Sequence, residues 1–188
     1  MARPRSDEKR AAILEAATRV IVTQGLGATT AGIAKEAGIA NGSLFTYFDT
    51  KTELLNELYL ELKRELAAIS LHKLPSDAEL RDQMYHIWKS WSEWAVSSPN
   101  KRRALAQLTV SDEITAATRA EGAKAMVKIF ELVERCRAMG ALRKVPPAFA
   151  GALINAASEA TMDFMVQDPA NAKKHCKAGF EAVWRMIE

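Results

Sequence analysis

Residues 29–51 have the sequence TTAGIAKEAGIANGSLFTYFDTK, which predicts two short helices joined by a tight turn. Thr29 supplies a side-chain oxygen that can cap the first helix, and Gly38 permits the left-handed conformation that ends it. The second helix is expected from Asn41 to Phe48. Helices of two turns are too short to be stable alone, so neighbouring helices must hold them. This is the arrangement of a helix-turn-helix, whose second helix can lie in a DNA major groove.

The rest of the chain also has helical periodicity, because alternating β-branched runs are nearly absent. The first helix is expected to begin at a Ser6 cap, and a long helix is expected over 51–72. Proline and glycine positions delimit five further helices, over 76–98, 101–110, 112–139, 147–167 and 170–187. The predicted fold is therefore all-α with about nine helices. An N-terminal helix-turn-helix domain is expected over 1–52, followed by a helical bundle over 53–188.

The composition restricts the class of protein. Of 188 residues, 48% are hydrophobic and 26% are charged, which is typical of a soluble globular chain. The net charge is only +3, so a DNA-binding surface must come from the arrangement of charges and not from their excess. No apolar run is long enough to cross a membrane and no secretory signal is visible, so we expect a cytoplasmic location and no membrane partner. Cys136 and Cys176 are expected to be free thiols.

No pattern points to catalysis. The three histidines are isolated, and no Cys-x-x-Cys pair suggests a zinc site. Gly25 and Gly27 lack the preceding strand and the third glycine of a dinucleotide-binding loop. We therefore expect no enzymatic activity, no metal and no cofactor.

Short polar side chains are predicted on the outward side of the second short helix. Asn41 has the groups that pair with adenine, and Ser43 and Thr46 can bond base edges or phosphate oxygens.

Cations flank this segment. Lys51 opens the next helix, where its charge and the helix N-terminal amides can hold phosphate. Arg3 and Arg5 are expected to form a mobile basic arm that reaches phosphates or the minor groove. In residues 1–51, seven basic and five acidic side chains leave a net charge of +2. A small helical bundle with an uncharged surface helix therefore remains an alternative.

Residues 29–51 resemble the signature of the TetR family of transcriptional regulators. The likeness covers the threonine cap, Ile-Ala, Ala-Gly followed by a hydrophobic residue, Leu-aromatic-x-Tyr-Phe, and a lysine that starts the next helix. Shorter strings resemble RamR-type multidrug-efflux repressors: MARPRS at 1–6, LY at 58–59, TMDF at 161–164 and GFEAVWR at 179–185.

The resemblance implies a homodimeric repressor that binds a palindromic duplex DNA operator. Its release would follow the binding of a small amphipathic, hydrophobic or cationic effector, and its targets would be an efflux pump or an efflux activator. The DNA contacts of the family correspond to Thr30, Asn41, Gly42, Ser43, Phe45, Thr46, Tyr47 and Lys51. Two positions depart from the family pattern: Phe45 cannot offer the usual tyrosine hydroxyl to phosphate, and Ala40 cannot cap the helix that follows it.

The predicted helices beyond residue 75 hold all four tryptophans. The resemblance implies a central effector pocket lined by Tyr59, Lys63, Met84, Ile87, Trp88, Trp91, Phe130 and Ile154. For any single tryptophan, an ordinary place in the bundle core is the alternative. Glu159 and Asp163 could pair with a cationic ligand or face solvent.

The last two predicted helices are rich in alanine and glycine. Small residues allow close helix approach, either within the chain or across a two-fold interface, and the resemblance favours a dimer. Two recognition helices about 34–36 Å apart would match successive major grooves. The competing hypothesis is a ligand-binding or protein-interaction bundle that does not bind DNA specifically.

Overall fold

The computed structural model describes the main chain of residues 3–188 and the side chains from Asp7 onward. These residues form ten α-helices and two short 3₁₀ helices, without a strand, which confirms the all-α fold. The α-helices are α1 Arg3–Gln24, α2 Thr30–Glu36, α3 Asn41–Leu44, α4 Lys51–Leu71, α5 Leu80–Ser97, α6 Pro99–Thr109, α7 Ala116–Ala125, α8 Val127–Met139, α9 Pro147–Gln167 and α10 Ala172–Ile187. The 3₁₀ helices are Ala141–Lys144 and Pro169–Asn171.

Several helix boundaries differ from the predicted ones. Helix α1 begins at Arg3 and not at Ser6, so the main chain at Arg3 and Arg5 is helical where a mobile arm was predicted. The side chains of Arg3 and Arg5 lie outside the described residues. The predicted helix over 112–139 is two helices, because Met126 (φ −96°, ψ 2°) lies in the bridge region and separates α7 from α8.

The helices pack as two compact units, and α4 contributes to both. Unit 1 consists of the residues up to Arg64 together with Pro99–Lys124. Unit 2 consists of Glu65–Ser98 and Ala125–Glu188. These units are defined by packing, whereas the boundary predicted at residue 52 separates a DNA-binding domain from a regulatory bundle. That functional boundary stays a prediction.

The core of unit 1 is built around the short helices. Predicted apolar stripes of α1 and α4 are buried there: Ile13, Ala16, Ala17, Val20 and Ile21 on α1, and Leu54, Leu55, Leu58 and Leu62 on α4. Ile33, Ala34, Leu44 and Phe48 are buried as well. A buried side chain of this size stabilises the fold by about 1.5–3 kcal/mol, which is how helices of one or two turns are held in place.

In unit 2, α10 packs along α9 and α5, and α5 also packs on α8. Helices α9 and α10 approach closely at Gly179, which lies against the side chain of Thr161. The Trp88 indole nitrogen donates a hydrogen bond of 2.9 Å to the Cys176 carbonyl. The polar group of the buried Trp88 side chain therefore has a hydrogen-bond partner within the core of this unit.

Both cysteines are free, as predicted, and the structure shows that both are buried. Burial raises the pKa of the Cys136 thiol to about 11, and burial also raises the pKa of the Cys176 thiol. Within the part of the chain that the structure covers, no helix is both long and apolar enough to cross a bilayer.

Candidate nucleic-acid interface and ligand-binding residues

The turn between α2 and α3 has the predicted geometry. The Thr29 hydroxyl oxygen accepts a hydrogen bond of 3.1 Å from the Gly32 amide, so it caps α2. Gly38 has φ +68°, a left-handed conformation that a side chain would disfavour, and the Ile39 amide then donates to the Ala34 carbonyl at 3.0 Å. Together these contacts end α2 sharply.

Helix α3 is shorter than predicted, since regular α-helix stops at Leu44. No side chain caps it at Ala40, as expected from a residue without a polar side chain. The chain continues as hydrogen-bonded turns, with the Thr46 amide donating to the Ser43 carbonyl and the Phe48 amide donating to the Leu44 carbonyl. Only one turn is regular α-helix, because no side chain caps it and the amides that follow bond to carbonyls three as well as four residues back.

The segment from Asn41 to Tyr47 has one buried side and one exposed side. Leu44 is fully buried, and Phe48 directly after the segment is buried too. The exposed residues are Asn41, Gly42, Ser43, Phe45 and Thr46, and Tyr47 is half-buried. We call this exposed side of residues 41–47 the recognition surface. It places short polar groups outward, as predicted, together with the Phe45 ring at 41% exposure.

One hydroxyl on the recognition surface already has a partner. The Thr46 hydroxyl donates to the Ser43 carbonyl at 2.7 Å. Its oxygen lone pairs remain available as acceptors, so in this rotamer Thr46 can accept a hydrogen bond from the amino group of adenine or cytosine.

Two arginines of α1 are paired with acidic side chains of unit 1. Arg10 forms an ion pair with Glu57 and lies over the Phe48 ring, 5.4 Å from its centroid. Arg19 lies 2.6 Å from a Glu36 carboxylate oxygen. Both arginines therefore have acidic partners within the protein, which makes them less available to DNA phosphates.

Lys51 and Thr30 border the recognition surface, and both are half-buried. The Lys51 ammonium donates to the Leu26 carbonyl at 2.6 Å, which fixes its position beside the loop between α1 and α2. An ammonium group has three hydrogens, so two remain for a phosphate oxygen.

Two structural features near the recognition surface were not predicted. Thr50 and Glu53 form a capping box for α4: the Glu53 amide donates to the Thr50 hydroxyl at 3.0 Å, and the Glu53 carboxylate accepts from the Asp49 amide at 2.6 Å. The Thr-x-x-Glu spacing was a readable signal of this cap. The box fixes the start of α4 directly after the recognition surface.

The second feature is the buried Asn56. Its amide nitrogen donates to the carbonyls of Thr52 (2.7 Å) and Glu113 (2.8 Å), and its amide oxygen accepts from the Thr115 amide at 3.0 Å. The Thr52 hydroxyl also donates to the Glu113 carboxylate at 2.7 Å. These bonds tie the segment between α6 and α7 to α4, which begins beside the recognition surface.

Replacing Asn56 by Leu should destabilise the protein by about 2–3 kcal/mol, because the part-buried Glu113 carbonyl and Thr115 amide lose their partner. Chemical denaturation measures this loss. Thr52→Val, which removes one exposed hydrogen bond, is the matched control and should cost under about 1 kcal/mol. Equal stability of Asn56→Leu and the parent would show that the network contributes nothing.

The residues of the predicted effector pocket divide between the two units. Tyr59 and Lys63 belong to unit 1. The other six belong to unit 2: Met84, Ile87, Trp88 and Ile154 are buried, Trp91 is half-buried, and Phe130 is 50% exposed. A pocket shared by all eight residues stays a prediction.

Tyr59 and Lys63 interact directly. The Lys63 ammonium lies 5.5 Å from the centroid of the Tyr59 ring. Burial lowers the pKa of Lys63 and raises the pKa of Tyr59, because both charged forms lose water. Gly122 of α7 leaves room for the ring, since a Cβ atom there would lie 2.8 Å from Tyr59 Cε1.

The two acids of α9 differ in exposure: Glu159 is half-buried and Asp163 is exposed. Neither residue lacks a partner. Among the described residues, no group of three histidine, cysteine or acidic side chains is arranged to hold a metal ion.

Comparisons with known proteins agree with this geometry. Residues 13–58 match the family model described as "Bacterial regulatory proteins, tetR family". The chain is 31% identical over 91 residues to the HTH-type transcriptional regulator AcrR of Shigella flexneri, a match that spans 45% of this chain and 42% of that regulator. It thus covers less than half the length of this curated relative.

Solved structures resemble the chain over nearly all of its length. A TetR-family transcription regulator from Shewanella sp. PV-4 is 29% identical, with a TM-score of 0.82 over 94% of this chain and 96% of that one. A TetR-family regulator from Marinobacter aquaeolei VT8 has a TM-score of 0.82 at 21% identity, with 98% of each chain covered. LfrR of Mycobacterium smegmatis in complex with proflavine has a TM-score of 0.68 at 18% identity, over 96% of this chain and 97% of that one.

Proposed function

We propose that the chain, whose residues 13–58 match the TetR family model, is a transcription regulator of that family. On this proposal it is a ligand-released repressor that binds a palindromic operator as a homodimer. The observation that carries this proposal is the recognition surface, where exposed short polar groups stand on a segment anchored by the buried Leu44 and Phe48. A rigid segment with a polar exposed side suits the major groove.

On this proposal, Asn41, Ser43 and Thr46 read base edges. Gly42 permits close approach to the DNA, and Phe45 and Tyr47 contact sugar or thymine methyl groups. Thr30 and Lys51 bind phosphates, and Arg3 and Arg5 add charge near the duplex. Phosphate contacts fix the register of the protein, whereas base contacts give sequence preference.

Replacing Lys51 by Ala should weaken binding to every duplex by a similar factor and reduce the slope of log affinity against log salt by about 1. The reason is the loss of one phosphate contact that carries no sequence information. Fluorescence anisotropy at several salt concentrations measures both quantities. Lys128→Ala on α8 changes the net charge equally and should leave affinity and slope unchanged. An unchanged slope for Lys51→Ala would contradict a phosphate contact, and a thermal melt of the variant reports any loss of the hydrogen bond to Leu26.

We place the dimer interface on the last two helices. One face of α9 is apolar but exposed, with Phe149 at 53% and Phe164 at 57% exposure. Between these rings, the small residues Ala152, Ala156 and Ala160 are exposed as well. Their spacing of three or four residues forms one stripe along the helix. A contiguous exposed apolar stripe of this kind is typical of a protein interface.

Ala156→Arg should convert the dimer to a monomer, because it buries an unpaired charge at the centre of that stripe. Size-exclusion chromatography with light scattering gives the mass directly. Val110→Arg, at a loop position that is 82% exposed, is the matched control and should remain dimeric. A dimeric Ala156→Arg protein would place the interface elsewhere.

The effector is proposed to be an amphipathic or aromatic compound. LfrR has the same fold and binds proflavine, and FadR of Bacillus subtilis has the same fold and binds stearoyl-CoA. Titration with proflavine, followed by tryptophan fluorescence and by release of bound DNA, tests this class of effector. Because short strings of the sequence resemble RamR-type multidrug-efflux repressors, control of an efflux gene or of its activator is the proposal for the target. Measuring transcripts of the neighbouring genes in a deletion strain tests it.

A further inference from the structure

Unit 2 contains a cleft that the DNA-binding function does not use. It lies between the start of α5 and the second half of α10, with a volume of about 240 Å³. Its lining residues are Arg81, Asp82, Tyr85, Lys177, Phe180 and Glu181. None of them belongs to the predicted effector pocket.

The cleft has an aromatic wall. The Tyr85 and Phe180 rings meet edge to face with their centroids 4.9 Å apart, and the Phe180 ring stacks on Trp184 at 6.0 Å. Phe180 is buried, which fixes the wall, whereas Tyr85 is half-buried and presents part of its ring. Such a wall is suited to an aromatic or apolar group.

Two of the four charged groups in the cleft are fixed by one another. Arg81 Nη2 lies 2.6 Å from both carboxylate oxygens of Glu181. The Arg81 guanidinium also lies over the Phe180 and Trp184 rings, 5.8 and 6.0 Å from their centroids. This ion pair is therefore part of the structure of the wall, and its charges are already satisfied.

One charge of each sign remains. Within the described part of the chain, the Asp82 carboxylate and the Lys177 ammonium have no ion-pair or hydrogen-bond partner, and both side chains are exposed. A ligand that satisfies both must carry a cation and an anion, and its apolar body must fit against Tyr85 and Phe180.

We propose that this cleft binds a free α-amino acid with an aromatic side chain. Its ammonium group pairs with Asp82, its carboxylate pairs with Lys177, and its ring packs on the exposed part of the Tyr85 ring, which the buried Phe180 holds in place. Each exposed ion pair is weak alone, but two of them together with ring packing give a selective site. Binding occurs within unit 2, so the proposal does not rest on the DNA-binding function.

Three probes of nearly equal size test it: L-phenylalanine, phenethylamine, which lacks the carboxylate, and 3-phenylpropionate, which lacks the ammonium. Isothermal titration calorimetry on the full chain measures their affinities. We expect phenylalanine to bind about three- to fivefold more tightly than either analogue, because each analogue lacks one of the two exposed ion pairs.

Variants that remove the charge of Lys177 or of Asp82 test the two ion pairs one at a time. Lys177→Gln should weaken phenylalanine and 3-phenylpropionate but leave phenethylamine unchanged, and Asp82→Asn should weaken phenylalanine and phenethylamine but leave 3-phenylpropionate unchanged. Lys173→Gln on the same helix and Asp77→Asn before α5 are exposed controls that should change nothing. Absence of saturable phenylalanine binding, equal affinity for the three probes, or variants that lose all three alike would each overturn the proposal.

Discussion

Gly179→Val should lower the free energy of unfolding by about 3 kcal/mol. A Cβ atom at this position would overlap the Thr161 hydroxyl and lie 2.7 Å from Thr161 Cγ2. Thr161 cannot move aside easily, because it is buried and its hydroxyl donates to the Ala157 carbonyl at 2.8 Å. The added methyl groups must therefore push α10 away from α9, with loss of packing along both helices.

A second substitution makes this expectation specific. In the background of Gly179→Val, Thr161→Ala should recover part of the lost stability, because it removes the atoms that clash. The matched control is Gly151→Ala on α9, where a Cβ atom meets nothing within 4 Å. That change should raise stability by about 0.5–1 kcal/mol, since alanine is the better helix former. Thermal and urea denaturation measure all four proteins. If Gly179→Val is as stable as the parent, the close crossing of α9 and α10 is wrong.

Ser43→Glu should reduce DNA affinity by at least about 100-fold, or roughly 2.7 kcal/mol. Ser43 is exposed at the centre of the recognition surface, so a carboxylate there faces phosphates and the acceptor-rich edges of guanine and adenine. The fold should be unaffected, because an acidic residue within the first turn of a helix is favourable.

The same charge change elsewhere provides the control. Ser76→Glu lies in the exposed segment before α5 and should bind DNA like the parent. Ser43→Ala should lose about tenfold at most and should relax the preference at one base pair. Fluorescence anisotropy on specific and scrambled duplexes distinguishes these results. Full DNA binding by Ser43→Glu would remove the recognition surface from the interface.

The helix-turn-helix was predictable because its determinants are local. Thr29 caps α2, Gly38 adopts a left-handed conformation, and Leu44 and Phe48 point inward, and each of these follows from residue type and spacing. The shortness of α3 was less predictable, because ending at Leu44 is a balance between a missing cap and the tertiary packing of Phe48. The break at Met126 carries no glycine or proline, and nothing in the sequence marks it.

The features that were missed depend on residues far apart in the chain. Asn56 bonds Glu113 and Thr115, and its position among leucines of α4 indicated only that a buried polar group needed partners. The cleft of unit 2 joins Arg81 to Glu181 across 100 residues, a pairing that no local pattern reveals. For Trp88, the sequence left open a place in the effector pocket or in the bundle core. Its indole nitrogen donates a hydrogen bond to the Cys176 carbonyl, and its side chain packs in the core of unit 2.

The competing hypothesis of a helical bundle without specific DNA binding rests on particular residues. Phe45 stands where the family usually has a tyrosine, and ion pairs occupy the guanidinium groups of Arg10 and Arg19. Specific binding is nevertheless expected, because base-edge contacts of the recognition surface do not require a large net charge. The two hypotheses differ in one property, which is sequence preference.

Selection of bound duplexes from a random pool, followed by sequencing, measures that preference directly. The full-length protein should enrich a two-fold symmetric sequence with half-sites spaced by about one helical turn, and Asn41→Ala should relax the enrichment at one position in each half-site. No enrichment above the starting pool, or an enriched sequence that is unchanged in Asn41→Ala and Ser43→Glu, would contradict DNA reading by residues 41–47.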